Sequence, residues 1–266
     1  IPYYQRTRHI FGDLKIEVFD DRGKLVDTVP ASKHRGVNRA LWNMHVRAPK
    51  TPPAAAAMFQ ANVGPRVVPG VYTVKMTKGD KTYTTRLNVV LDPRAKFTVE
   101  DRKANFDLAM KIGSMLNHMS WAVDAIVGVR DEANQRAAQT KDAALRSALQ
   151  DLAQKADAVR GQIVATKEGG AITGEERLRE YTGTLYGDVN SYEGRPTNEQ
   201  VQRADVLARE LEDVVRQFNA LTTASLPAIN KRLQAAKLPA INALSEQQWQ
   251  AAQQQEEGSS NASKSE

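Results

Sequence analysis

The chain has 266 residues, 41% hydrophobic and 26% charged, a balance typical of a soluble globular protein with room for two ordinary domains. No apolar run approaches the roughly 18 residues of a membrane span, and the lack of cysteine excludes disulfides, thiolate metal sites and cysteine nucleophiles. The net charge of +6 conceals an asymmetry: residues 1–97 hold 17 Lys and Arg against 7 Asp and Glu, whereas residues 98–266 hold 20 against 24.

The basic residues of the first half are scattered singly along alternating segments, without the interleaved aromatics that single-strand binders use. They read as a solvated strand face, or as a patch that docks another part of the protein, and not as a nucleic-acid site. The chain opens Ile1-Pro2-Tyr3-Tyr4, without an initiator Met or a basic-then-apolar leader, and so reads as a fragment or processed product.

Asp13 to Phe19 alternates, with Leu14, Ile16 and Val18 on one face and Lys15 and Glu17 on the other, which predicts a strand. Asp20-Asp21-Arg22-Gly23 supplies turn chemistry, and Lys24 to Val29 returns as a second strand. A cation at Asp20 and Asp21 is the weaker reading, because adjacent strand residues point to opposite faces. Gly36 to Met44 predicts a further strand carrying Trp42, a large aromatic suited to plugging a small sandwich core. His34 and His45 flank it without further ligands at metal spacing.

Residues 48–68 are rich in proline and alanine and predict a long crossing loop, either mobile or packed against a neighbour through Met58 and Phe59. Pro69 to Leu91 is the clearest hairpin: two alternating runs rich in β-branched and aromatic residues around Lys78-Gly79-Asp80.

After Asp92-Pro93-Arg94 the periodicity changes. Thr98 caps a helix with an acidic first turn, extending to about Gln139; a second follows Lys141-Asp142 and stops near Gly169-Gly170. A third spans Glu175 to about Asn190, a fourth starts at Thr197, and Leu226-Pro227 restarts a last helix through about Lys237. The tail from Ser245 predicts a short Gln-rich helix around Trp249 and then a low-complexity segment unable to bury enough surface to order itself.

The sequence displays no reacting centre. Met115, His118, Met119 and Trp121 lie within two turns of one helix and read as packing, because no second helix supplies ligands at Glu-x-x-His spacing. Gly169-Gly170 lacks the phosphate-loop pattern, and no G-x-S-x-G occurs. No cofactor and no metal are expected. The fold class expected is α+β multidomain: an Ig-like antiparallel β-sandwich over 1–97, an antiparallel α-helical bundle over 98–244, and a short helix with a tail over 245–266.

Arg8 to Leu14, Gly36 to Trp42, Pro69-Gly70-Val71-Tyr72 and Asp92-Pro93-Arg94, with Arg195-Pro196-Thr197 further on, form an ordered set that resembles the C-terminal region of large bacterial exported proteins. Those proteins carry an N-terminal β-propeller of Asp-box repeats similar to the sortilin luminal domain and are often labelled glycosyl hydrolases. The Asp-box pattern S-x-D-x-G-x-T-W does not occur here, so no catalytic residue carries over. The resemblance implies a non-catalytic accessory segment in a periplasmic or extracellular setting, docking the propeller or another subunit. The alternative it implies is a part of a glycoside hydrolase or carbohydrate-binding protein whose propeller lies upstream.

The candidate interaction surface comprises Arg35, Arg39, Trp42, Met58, Phe59, Tyr72 and Trp249. A protein is the expected partner, with a glycan as a further one if Trp42 or Tyr72 is exposed, and with no nucleic acid and no transmembrane segment.

Overall fold

A computed structural model describes residues 1–55, 61–167 and 174–263, with side chains through Gln255. The protein is mixed α/β, with two small antiparallel sheets in the first half and five helices in the second. No helix among the described residues is long and apolar enough to cross a membrane.

Among the described residues the first half forms six strands: β1 (Pro2–Gln5), β2 (Leu14–Phe19), β3 (Leu25–Val29), β4 (Gly36–Arg39), β5 (Gly70–Lys78) and β6 (Lys81–Val89). The larger sheet has the order β3-β2-β5-β6, and β1 pairs with β4 in a separate two-stranded ribbon. The register follows the alternation of the sequence: Val18 faces Val74, and Tyr72 faces Leu87. Ile16, Val18, Tyr72 and Val74 are therefore buried on one face, where Val29, Ala40, Trp42 and Val67 meet them.

The turns are held by side chains. Asp20 Oδ1 accepts from the Arg22 and Lys24 amides at 3.0 and 2.8 Å, which assigns the Asp20-Asp21 pair to turn formation. Gly79 takes φ 56° at the tip of the β5-β6 hairpin, a conformation that favours glycine. The expected strand over Gly36 to Met44 is shorter, ending at Arg39, and Met44 takes φ 59°. β1 lies where the sequence showed no strand signal; it exists because β4 offers it a partner.

The helices are α1 (Val99–Gln139), α2 (Ala143–Ile163), α3 (Leu178–Asn190), α4 (Asn198–Ala235) and α5 (Glu246–Ser263). The N-termini of α1, α2, α4 and α5 are those the sequence marks, whereas α3 starts at Leu178, three residues after the expected Glu175. Thr98 Oγ1 accepts the Asp101 amide at 3.1 Å while Asp101 Oδ2 accepts the Thr98 amide at 3.1 Å. Asp142 caps α2 through the Ala144 and Leu145 amides, and Thr197 and Gln200 form the reciprocal cap of α4.

Two helical expectations are corrected. Pro227 does not start a new helix; it lies inside α4. Pro227 and Thr223, whose carbonyl loses its donor, are both exposed, while Phe218, Thr222, Ile229 and Leu233 continue the buried stripe across the site, so packing outweighs the missing bond. The low-complexity segment from Glu256, expected to be unordered, is helical to Ser263 as the continuation of α5, whose first turn Ser245 caps through the Gln248 amide at 3.3 Å. The expected stop at Gly169-Gly170 lies outside the described residues, and α2 already ends at Ile163.

Candidate interaction surface

The two halves meet around one buried cation. Arg102, in the first turn of α1, is 2% exposed; its Nη1 donates to Asn105 Oδ1 at 2.8 Å and its Nη2 to the Arg66 carbonyl. Asn105 in turn donates through Nδ2 to the Val189 and Tyr192 carbonyls at 2.9 and 2.8 Å. One turn of α1 thus holds both the segment leading into β5 and the end of α3. Glu193 sits 3.0 Å from Arg66 Nε and 3.9 Å from Arg102 Nε, supplying the counter-charge. Burial lowers the Arg102 pKa, with the Glu193 charge acting in the opposite direction.

The sequence reading missed this cluster, although a signal was present. Helix first turns favour acidic side chains because the macrodipole is positive there, so a cation at that place points to a specific partner. A cavity of about 620 Å³ opens beside it, lined by Arg66, Arg102, Phe97 and Tyr192 among others.

The crossing loop is the second fastening. Lys50 N donates to Asn117 Oδ1 at 2.7 Å, Ala55 N to the Ala165 carbonyl at 3.3 Å, and Tyr186 Oη to the Val63 carbonyl at 3.0 Å. Ala61 is buried in the helical core. The loop doubles back so closely that a Cβ on Gly64 would lie 1.9 Å from the Val46 carbonyl oxygen, which only glycine permits. The direct covalent connection runs over residues 90–98; Asp92 organises it by accepting the Arg94 amide at 2.9 Å.

The expected surface residues separate into three groups. Trp42 and Tyr72 are 7% and 5% exposed and pack on each other with ring centroids 5.3 Å apart, so neither forms a surface, and the stacking platform for a glycan is overturned. Tyr72 Oη also donates to the Val68 carbonyl at 2.7 Å, and burial, with the Asp20 and Asp21 charges adding to it, pushes its pKa up to about 12. Trp249 is likewise buried; it is the anchor of α5, donating to Asp124 Oδ2 at 2.7 Å. Met58 and Phe59 lie outside the described residues.

Arg35 and Arg39 are exposed, the first immediately before β4 and the second at its end. They stand in a basic field: the chain holds no Asp or Glu in residues 1–12 or 28–79. Elsewhere, His118 Nδ1 lies 3.1 Å from Glu246 Oε1 and its ring packs on Trp121, which makes it part of the α1-α5 contact. No group of three or more His, Asp or Glu suited to a metal occurs among the described residues.

No protein-family model, no curated protein and no solved structure matches the chain.

Proposed function

We propose that this chain is a non-catalytic accessory and interaction segment of a larger exported protein, docking an Asp-box β-propeller or another subunit in a periplasmic or extracellular setting. The first half, residues 1–97, is read as an Ig-like sandwich. Its support is the Trp42-Tyr72 core pair and the hydroxyl of Tyr72 returning to the backbone four residues upstream, the arrangement of the tyrosine corner. Residues 98–244 are read as a bundle, on which α5 is fastened by Trp249.

The observation that carries the reading is the Arg102 joint. A buried guanidinium and a neighbouring amide tie α1, the end of α3 and the lead-in to β5 together, so the two halves act as one rigid body with a composite surface. Rigid presentation suits docking, because little motion is lost when the partner binds. The excess of cations in the first half favours a partner surface bearing carboxylates.

The test is a pull-down of the full chain with a separately expressed β-propeller segment of the same polypeptide, at low and moderate salt. Association that weakens as salt rises is expected; no association at either salt rejects the reading.

A further inference from the structure

The β1-β4 ribbon has one face in the core and one in solvent, and the division follows residue parity without exception. From Val37 to Trp42 exposed and buried residues alternate, and on β1 Pro2 and Tyr4 are exposed on either side of the half-buried Tyr3. The register pairs Tyr4 with Val37 and Pro2 with Arg39, so these four share the outer face, and Leu41 continues it. Tyr4, Val37 and Leu41 are 66%, 81% and 74% exposed. A core position would explain none of them, and together they make an apolar strip on a flat, extended backbone.

The charges around the strip have one sign. Arg39 lies within it, and Arg6 and Arg35, both exposed, lie just beyond the last pair of the ladder, Gln5 with Gly36. None of the three has an ion-pair partner among the described residues. Exposed arginines are solvated and contribute little to the stability of this chain on its own. A partner surface bearing carboxylates would complement them.

We infer that the outer face of the β1-β4 ribbon is the docking surface for a folded protein whose complementary patch is apolar at its centre and rimmed by carboxylates. Tyr4, Val37 and Leu41 form the buried centre, with Arg6, Arg35 and Arg39 at the rim; aromatic and arginine side chains are the types that dominate interface energetics. A second copy of this chain placed face to face would bring the same arginines together and is disfavoured. An anionic membrane fits less well than a protein, because neither β1 nor β4 has a second strand neighbour among the described residues. Their free N–H and C=O groups can be paired by a protein backbone, whereas hydrocarbon leaves them unpaired.

The inference rests on the accessory reading above and names its surface. Titration calorimetry of the full chain with the β-propeller segment as probe tests it, using Val37→Glu, Arg35→Glu with Arg39→Glu, and a control with the same charge change on β6, Lys81→Glu with Arg86→Glu. Val37 is exposed, and unchanged thermal melting of each variant shows that the fold is intact. Val37→Glu is expected to weaken binding at least about tenfold. Replacing the arginine pair should weaken binding and flatten its salt dependence, while the β6 control matches wild type. Binding by wild type that Val37→Glu leaves unchanged overturns the surface but not the accessory role. Absence of wild-type binding removes both. Co-sedimentation with vesicles of equal phosphatidylglycerol and phosphatidylcholine that Val37→Glu abolishes would assign the face to a membrane and overturn the protein partner.

Discussion

Arg102 and Arg66 meet across the joint of the molecule: the guanidinium of the first, 2% exposed, donates to the main-chain carbonyl of the second. The same side chain holds Asn105 at 2.8 Å, so its removal reaches both halves. Arg102→Leu leaves the Arg66 carbonyl and Asn105 Oδ1 without their donor and takes one cation from Glu193. A loss of about 3 kcal/mol is expected, with the single calorimetric transition broadening or splitting as the halves uncouple. An unchanged, single transition would show that the joint does not depend on this residue.

Tyr72→Phe keeps the ring against Trp42 and deletes only the bond to the Val68 carbonyl at 2.7 Å. Denaturant unfolding should show a loss of about 1–2 kcal/mol, the cost of one part-buried hydrogen bond with its acceptor left unpaired. A larger loss, on the scale of removing an aromatic ring, would mean that the packing and not the hydroxyl had been disturbed.

Pro227→Ala should stabilise the protein. It returns an N–H to the Thr223 carbonyl on the exposed side of α4 and removes a helix-interior proline, against a smaller gain in unfolded-chain freedom. The net expectation is about 2 kcal/mol, read as an upward shift in melting temperature. Destabilisation would mean that the packing of Ile229 and Leu233 depends on the proline.

Glu175 accepts from Thr166 N at 2.8 Å and from the Arg177 guanidinium, and these bonds, the amide first, lower its pKa from 4.5 to about 2. Folding therefore favours the ionised carboxylate. The contribution is complete above pH 4.5 and is lost as pH falls from 4.5 toward 2. Glu175→Gln should lower stability at neutral pH and flatten the acid limb in this window; parallel acid limbs for variant and wild type would refute the assignment.

Trp249→Ala removes the bond to Asp124 and the aromatic that seats α5 on α1, the one element against which α5 packs among the described residues. The effect should be local: faster proteolytic cleavage after residue 245, with little change in the main transition. Equal cleavage rates would place the anchor of α5 elsewhere, with the contact of His118 and Glu246 the next to test.

Much of the local structure was legible. Leu14, Ile16 and Val18 announced a strand by alternation, and Thr98, Asp142 and Thr197 announced helix starts by capping chemistry, because both signals are carried by residues close in sequence. β1 escaped notice because its pairing with β4 spans more than thirty residues. The candidate surface fared worse, since Trp42, Tyr72 and Trp249 have the composition of a binding face and of a core equally; only burial separates the two.

What the amino-acid order settled was the change from strand to helix near residue 95, the turn and cap positions, and the excess of cations in the first half. These follow from periodicity and from side chains acting on their own backbone neighbours. The tertiary structure decided which aromatics are interior, that Pro227 lies within a continuous helix, and that the halves are fastened through Arg102 and the crossing loop, not chiefly through the covalent link. It also placed Tyr4 beside Val37 on an open face. Each of these depends on contacts between residues distant in the chain, which no local pattern encodes.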